Sequence, residues 1–411
     1  MTTNLFIKIV RPIFRLWPYL YRGFYRVISV FVKEQAGTYI LFDNVQTTAE
    51  CNDTYTFFRY LRGKGDTRSH YILNRNNPLY KHLKKKAALK GVLPFGGNAV
   101  SRVLFLFRYA LTIARAEYLV TSFSFYSSLA VLKKIGKKTI FAQHGVILLK
   151  ESVFFFYGKD APFGGFDYFV VSNDMEKRLV MEKGGYPDKA IIQTGLFRWD
   201  ILKDQSRESK KRYILFSPTF RRDIMANPNE KTEYYHFINS FCTDTELQLL
   251  LKGNNIDLVL NIHHILQALG FGRSYFDLPN TVRMIAPTEV SLYIRRGSLL
   301  ITDLSSIFSD FFFLEKPVIF FRPKYDVTLP DSNHRLKGII TQEKEDYEAL
   351  PQKDHFIFNT VYTKSSLLDL LRFYIQNDFT LEEDKKKIAN GFFTYKKGIC
   401  DAFIKALDEI S

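Results

Sequence analysis

Residues 298–326 read SLLITDLSSIFSDFFFLEKPVIFFRPKYD, and this stretch decides the fold. An apolar run ends at Ile301, the polar turn TDLSS follows, and a hydrophobic helical segment then continues through Phe313. A second apolar strand occupies 318–321. This order predicts a βαβ unit with polar groups at the carboxyl end of its first strand, where open α/β sheets bind ligands. Hydroxyls and backbone N–H groups at the start of a helix suit a phosphate.

The alternation of short apolar strands with helices extends through most of the chain. Strands are predicted at 38–43, 70–74, 117–121, 138–143, 168–172, 191–194, 213–217, 257–262, 281–284, 299–301 and 318–321. Helices are predicted at 49–62, 100–116, 173–183, 237–251, 287–296 and 381–410. Such alternation predicts an α/β protein with two Rossmann-like parallel-sheet domains, and the cleft between them is the expected active site.

A polar stretch divides the two series of strands. Residues 203–212 (KDQSRESKKR) are charged or polar throughout, so they cannot contribute to a core and are predicted to be a linker. The expected parts are a basic amphipathic arm at 1–36, domains at 37–202 and 213–380 on either side of the linker, and a helical tail at 381–411.

The composition is that of a globular, basic protein. Of 411 residues, 46% are hydrophobic and 24% charged, and the formal net charge is +16. A basic balance attracts nucleic acid, anionic membrane or phosphorylated substrates. No helix-turn-helix, RRM or zinc-finger signature is present, so no nucleic-acid partner is expected. Cys51, Cys242 and Cys400 form no CxxC pair, which argues against a zinc site and fits a reducing compartment.

The first 34 residues mix Lys and Arg with aromatic residues and contain no acid before Glu34. They hold neither a charge-free apolar run of about 20 residues nor a small-residue cleavage site. We therefore expect the arm to lie in the interface of an anionic membrane, with the protein peripheral on the cytoplasmic face. The alternative is a helix packed on the protein's own core.

Two histidines follow apolar strands in equivalent places. His144 ends the strand at 138–143, and Gly145 beside it permits a sharp turn and close approach of a substrate. A neutral imidazole there can accept a proton from an attacking hydroxyl, although an isolated HG dipeptide is more often a loop histidine. His263 follows the strand at 257–262 and could stabilise a leaving group, with His264 as a structural neighbour.

Further polar residues follow other strands. Thr219 and Arg221 come after the strand at 213–217, where hydroxyl and guanidinium groups make either a phosphate clamp or a solvated turn. Arg198 and Asp200 follow a strand and a glycine, and they either bind ligand or fasten the interdomain hinge.

The turn of the opening stretch offers four polar residues in five positions, more than one helix cap requires. They are Thr302, Asp303, Ser305 and Ser306. No carboxylate cluster has metal-ligand spacing, so no cofactor is expected. Asp303 and Asp310 nevertheless leave a Mg²⁺ role open.

Seven stretches occur in one order. They are FAQHG (141–145), FDYFVVSNDMEKR (166–178), GYPDKAIIQTGLFRWD (185–200), ILFSPTFRRD (214–223), LVLNIHH (258–264), APTEVSLYIRRGSLLITDLSSIFSDF (286–311) and EKPVIFF (315–321). In this series the chain resembles the CDP-glycerol glycerophosphotransferase family of teichoic-acid-type polymer synthesis. The resemblance covers residues 115–325, and ITDLSSIFSDF, SPTFR and GLFRWD are its most specific pieces.

The resemblance implies a glycosyltransferase-B-like fold and peripheral attachment to the cytoplasmic membrane face. It also implies transfer of a polyol phosphate, glycerol phosphate first, from a CDP-linked donor to a hydroxyl of a lipid-linked acceptor, with release of CMP. The N-terminal domain is then expected to take the acceptor and the C-terminal domain the nucleotide donor.

Individual residues fall on the family's motifs. His144 matches the histidine that is the family's proposed base, His263 matches the histidine of a Lys-Pro-His-Pro segment, and Arg221 matches the arginine of the PTFR-like stretch. Ser305 and Ser306 match the donor-phosphate turn, with the preceding threonine and aspartate beside them.

The departures from the family concern the donor half. NIHH at 261–264 replaces Lys-Pro-His-Pro, so one expected cation is absent, and no Gly-rich loop follows Pro323. Lys396 and Lys397 stand where an acid is usual. Two alternatives therefore remain: a nucleotide-sugar glycosyltransferase of surface polysaccharide synthesis, and a non-catalytic membrane- or nucleic-acid-binding protein.

Overall fold

A computed structural model describes residues 23, 25, 27–43, 53–122, 136–161, 165–220, 233–323, 334–349 and 359–410. Within these residues the chain forms two parallel β-sheets with helices between the strands. The predicted α/β class with two parallel-sheet domains is therefore confirmed. Parallel sheets are buried on both faces, which explains why most of the strands read as unbroken apolar runs.

The first sheet has seven strands in the order β3-β2-β1-β4-β5-β6-β7, and every neighbouring pair is parallel. Its strands are β1 Tyr39–Phe42, β2 His70–Asn74, β3 Val92–Phe95, β4 Tyr118–Thr121, β5 Lys138–Phe141, β6 Tyr168–Val171 and β7 Ile191–Gln193. The central pairs β1–β4 and β4–β5 run over four residues each, with Leu119 opposite Ile40 and Thr139.

The second sheet has six parallel strands in the order β10-β9-β8-β11-β12-β13. Its strands are β8 Arg212–Ser217, β9 Ile256–Leu260, β10 Val282–Met284, β11 Leu299–Thr302, β12 Val318–Phe321 and β13 Asn359–Val361. The strand that ends in the TDLSS turn, β11, lies at the centre between β8 and β12.

Helices connect the strands and cover the sheets. The α-helices are α1 Asp53–Gly63, α2 Pro78–Lys85, α3 Ala99–Arg115, α4 Phe154–Tyr157, α5 Asp174–Glu182, α6 Glu233–Cys242, α7 Thr245–Gly253, α8 His264–Ala268, α9 Val290–Arg296, α10 Phe308–Phe313, α11 His334–Ala349, α12 Lys364–Gln376, α13 Glu383–Phe392 and α14 Ile399–Ile410. Short 3₁₀ turns occupy Glu151–Val153, Asp188–Ala190, Phe197–Asp200 and Pro287–Glu289.

The last helix returns to the first sheet. Phe403 of α14 packs edge-on against Phe57 and Phe197, with ring centroids 5.1 and 4.8 Å apart. The Asp200 carboxylate accepts hydrogen bonds from the backbone N–H groups of Ile399 and Cys400, both at 2.8 Å, and so caps α14. The C-terminal tail is thus part of the N-terminal domain's packing.

Some predicted elements differ from the structure. The helix predicted at 237–251 is two helices, because Asp244 caps a new one by accepting from the backbone N–H of Leu247 at 2.9 Å. The strands β3 and β13 were not predicted, and both lie at sheet edges. Residues 203–211, within the predicted linker, join the two sheets, and Arg212 already belongs to β8.

The N-terminal arm is described only in part. Its helical residues 27–31 expose Val27, Val30 and Phe31, and residues 1–22 lie outside the described part. The membrane-binding arm therefore remains a prediction. Among the described residues, no helix is both long and apolar enough to span a bilayer.

Candidate active site

The loops that follow β5 and β11 meet between the two sheets. The close approach lies at Gly145, where a Cβ atom would stand 2.7 Å from the Cβ of Ser306 and closer still to its hydroxyl oxygen. Real Cβ atoms do not come so near to another side chain. The structure therefore brings together two sequence-predicted sites, and only glycine at 145 allows this contact.

His144 lies at the edge of this contact with its side chain accessible to solvent. Its Nδ1 lies 3.0 Å from the Ser122 carbonyl oxygen, which can only accept, so Nδ1 carries the proton. In the neutral ring the lone pair is then on Nε2. The predicted general base is thus oriented by a backbone carbonyl.

The surroundings of His144 favour its neutral form. Desolvation by the protein groups around the imidazole lowers its pKa, and the positive charges of Arg198, Lys150 and His264 lower it further. The hydrogen bond to Ser122 opposes this shift in pKa without reversing it. A histidine with a lowered pKa stays neutral near pH 7 and can accept a proton.

The second histidine pair lies at the start of α8. The His263 ring stacks on Phe220 with centroids 4.9 Å apart, and its Nδ1 caps α8 by accepting from the backbone N–H of Ile265 at 3.4 Å. The His264 ring lies 4.3 Å from that of His263, and burial lowers the pKa of His264. The positive charge of His264 also lowers the pKa of His144, so this histidine of the second half interacts electrostatically with the histidine of the first.

The polar turn after β11 divides into buried and accessible residues. Thr302 and Asp303 are fully buried: the threonine hydroxyl donates to the Ser217 carbonyl at 2.6 Å, and the aspartate accepts from the backbone N–H groups of Thr219 and Leu304 at 2.7 and 2.8 Å. These hydrogen bonds of Thr302 and Asp303 stabilise the conformation of the turn.

The two serines of the turn are half-buried and therefore more accessible than Thr302 and Asp303. The hydroxyl of Ser305 accepts weakly from the Ile307 N–H at 3.5 Å, and Ser306 faces Gly145. Thr219 contributes its hydroxyl oxygen to the Leu304 N–H at 3.2 Å. Ser305 and Ser306 are thus the members of the turn best placed for ligand.

Arg198 connects the two halves beneath these loops. Its guanidinium donates to Asp310 through Nε and Nη2, both at 2.9 Å, and through Nη1 to Asp53 and to the His144 carbonyl oxygen. The Arg198 side chain is 8% exposed, and the Trp199 indole also donates to Asp310 at 2.8 Å. Of the two roles left open for Arg198, these contacts favour fastening the domains over binding a ligand.

The single positive charge of Arg198 faces two buried carboxylates, those of Asp53 and Asp310. Burial raises the pKa of Asp53 to about 7, and the guanidinium opposes this rise. Neither Asp53 nor His264 could be assigned to the site from sequence: Asp53 falls inside the helix predicted at 49–62, and His264 is predicted only as a structural neighbour of His263. Asp200, the other residue in question, is engaged in capping α14.

Two further predictions concern Arg221 and a metal ion. Arg221 lies outside the described residues. Where the structure describes the chain, no group of three His, Cys, Asp or Glu side chains could hold a metal ion. The carboxylate of Asp310, one of two left open for Mg²⁺, faces Arg198 and Trp199.

Solved structures share this architecture. The wall teichoic acid polymerase TagF aligns over 100% of this chain and 98% of its own, with a TM-score of 0.62 and 15% sequence identity. A Staphylococcus aureus MnaA structure with UDP aligns over 92% and 96%, with a TM-score of 0.52 and 12% identity. At these identities the likeness shows the fold alone.

Curated relatives come from teichoic acid synthesis. The minor teichoic acid biosynthesis protein GgaB of Bacillus subtilis is 24% identical over 377 residues, covering 86% of this chain and 38% of GgaB. The teichoic acid poly(ribitol-phosphate) polymerase of Bacillus spizizenii is 23% identical over 235 residues, 48% of this chain and 35% of the polymerase. The chain thus spans little more than a third of the relatives it matches.

A family model matches residues 25–398, which is most of the chain and extends beyond the 115–325 on which the sequence resemblance rested. The predicted resemblance is therefore confirmed. The chain belongs to the CDP-glycerol:poly(glycerophosphate) glycerophosphotransferase family.

Proposed function

We propose that this protein transfers a polyol phosphate from a CDP-linked donor to a hydroxyl of a lipid-linked acceptor and releases CMP. Glycerol phosphate is the first candidate for the transferred group. The observation that carries the proposal is the contact of Gly145 with Ser306, which brings the loop of His144, the proposed base, against the turn assigned to the donor phosphates. Family membership and the teichoic acid relatives support the reaction class.

The chemistry needs a base on one side and anion stabilisation on the other. The acceptor oxygen attacks the phosphorus that bears the polyol, and its proton passes to Nε2 of His144. The bond from that phosphorus to the bridging oxygen breaks, and CMP leaves with the electron pair. Ser305, Ser306 and His263 are the groups assigned to the leaving phosphate, together with Arg221.

The CDP-linked donor has separate support. The family is named for CDP-glycerol, and one structure of the TagF polymerase, with a TM-score of 0.60, comes from a crystal soaked with CDPG. The second half of this chain supplies the turn assigned to the donor phosphates. We therefore place the nucleotide against the second sheet and the acceptor against the first.

An apolar surface supports attachment to a membrane. The helix α3 exposes four large apolar side chains at helical spacing: Val100 at 67%, Val103 at 65%, Leu104 at 57% and Phe107 at 51%. The helix contains three arginines and no acid. Apolar residues edged by cations suit an anionic bilayer, which is the occupant we assign, and a lipid-linked acceptor would be found there.

The proposal is tested by offering purified protein a panel of donors with a membrane fraction that contains acceptor. CDP-glycerol, CDP-ribitol and a UDP-sugar are incubated separately, and the released nucleotide is identified by chromatography. Release of CMP from a CDP-polyol is expected. Release of a nucleoside diphosphate would instead identify a glycosyltransferase, and no release from any CDP-polyol would overturn the proposal.

A further inference from the structure

A buried carboxylate lies behind the His144 loop. Glu176, the third residue of α5, is fully buried and accepts four hydrogen bonds. Its Oε1 accepts from the backbone N–H of Ile147 at 2.9 Å and from the Gln143 amide at 3.1 Å. Its Oε2 accepts from the backbone N–H and the hydroxyl of Ser172, at 2.7 and 2.8 Å.

These partners flank His144 on both sides. Gln143 precedes it directly and Ile147 follows three residues later, so one carboxylate oxygen holds both ends of the loop. The Gln143 amide also donates to the Val170 carbonyl on β6. Glu176 therefore ties the loop to the neighbouring strand and to the start of α5.

The loop needs such a restraint because its backbone is unusual. Gln143 has a φ of 61°, in the left-handed region that side chains other than glycine seldom adopt. Such conformations persist where surrounding contacts over-determine them, and they concentrate at functional sites. The backbone N–H groups of Ile147 and Ser172 can only donate, and each meets a different oxygen of the Glu176 carboxylate. Burial raises the pKa of Glu176, and these hydrogen bonds oppose that rise.

We propose that Glu176 is a positioning residue for the reaction, which holds the His144 imidazole in its proton-accepting orientation against the second domain. The inference rests on the proposed function of His144 as the base. A glutamine has the same shape but replaces one acceptor oxygen with an NH₂ group. In one orientation of the amide its NH₂ group faces the backbone N–H of Ile147, and in the other it faces the backbone N–H of Ser172. Either the His144 loop or the Ser172 turn then loses its hydrogen bond to residue 176.

The kinetic test compares Glu176→Gln with Glu182→Gln, an exposed acid on the same helix. We expect Glu176→Gln to lower kcat for CMP release by 10- to 100-fold with the donor KM within about twofold, and Glu182→Gln to change neither. In a His144→Ala background, Glu176→Gln should cost less than about twofold, because it acts through the histidine. Equal losses in both backgrounds would overturn the proposal.

A second readout does not depend on activity. Nitrogen-15 NMR of labelled histidines reports which ring nitrogen carries the proton. In the wild type the His144 ring should be the Nδ1–H form, and in Glu176→Gln it should become a mixture of tautomers. An unchanged His144 signal in the folded variant would contradict the inference. A wild type that releases no CMP would refute the proposed function and leave this positional test intact.

A milder variant keeps the inference testable if Glu176→Gln does not fold. Gln143→Met retains the volume of the side chain and removes the amide that donates to Glu176 and to the Val170 carbonyl. A loss of kcat and a mixture of His144 tautomers are again expected, and both effects should be smaller than in Glu176→Gln. Wild-type kcat together with an unmixed His144 signal would count against the role of Glu176.

Discussion

The neighbours of His144, the proposed base, favour its neutral form. Its Nδ1–H donates to a backbone carbonyl, and desolvation with nearby cations lowers its pKa. Both effects leave Nε2 ready to accept a proton at neutral pH. The sequence could place this histidine at the end of a strand, but its tautomer depends on Ser122, which is 22 residues away.

The lowered pKa predicts the acid limb of the pH–rate profile. The neutral base is active, so kcat/KM falls as pH drops through the pKa of His144 in the free enzyme. Because that pKa is lowered, the midpoint should lie below the 6.5 of an ordinary histidine. His144→Gln should abolish this limb along with most activity. A midpoint above 7 would contradict the assignment.

Gly145 provides a test of the contact between the two halves. Gly145→Ala puts a methyl group against Ser306, and overpacking of this kind costs about 1–3 kcal/mol of unfolding free energy. Ser306→Gly removes the side chain that the methyl would meet, so the double variant should regain much of the lost stability. Thermal unfolding of the two single variants and the double variant measures this. Strict additivity would show that the two loops do not touch.

At the scale of elements, one arginine links a helix from each half. Arg198 pairs with Asp53 at the start of α1 and with Asp310 in α10, both buried. Breaking a buried ion pair by removing one partner leaves uncompensated charge in a low-dielectric interior. The link between α1 and α10 therefore depends on this guanidinium.

Arg198→Met should lower the free energy of unfolding by about 3–5 kcal/mol, as is typical of a broken buried pair. The matched control is Arg212→Met, whose partner Asp378 is exposed, and its cost should stay below about 1 kcal/mol. Urea unfolding of both variants gives the comparison. Equal losses would mean that Arg198 does not link the halves.

The elements most easily predicted are those that the local pattern of apolar and polar residues defines. The strand β2 was predicted with its observed bounds, because HYILN is apolar and flanked by polar residues. The edge strand β3 was missed, since Pro94 lies within it. Glu176 was also missed: it reads as a surface acid in a first helical turn, and its partners Gln143 and Ile147 are about 30 residues away.

At the scale of the whole molecule, fold and site follow from the same arrangement. The two parallel sheets bring the loops that follow β5 and β11 into contact, and the C-terminal helix α14 packs back onto the first half. The order of motifs along the sequence predicted this architecture. The distances between these two loops could not be predicted, because they depend on packing between the halves.

The exposed face of α3 predicts binding to membranes. The double variant Val103→Glu/Leu104→Glu should reduce sedimentation with vesicles of anionic lipid at least tenfold, because it places acids on the apolar face. Leu249→Glu, at an equally exposed leucine of α7, is the control and should leave binding unchanged. Added salt should weaken binding of the wild type. Equal losses of vesicle binding in the two variants would show that α3 is not the membrane-binding surface.

The most direct test of the account is the nucleotide released from CDP-glycerol in the presence of acceptor lipid. Wild-type protein and His82→Ala, a control at an exposed helix residue, should release CMP in step with the glycerol phosphate transferred. His144→Ala should release at least 100-fold less, as expected when a general base is removed. CMP release that persists undiminished in His144→Ala would contradict the central claim.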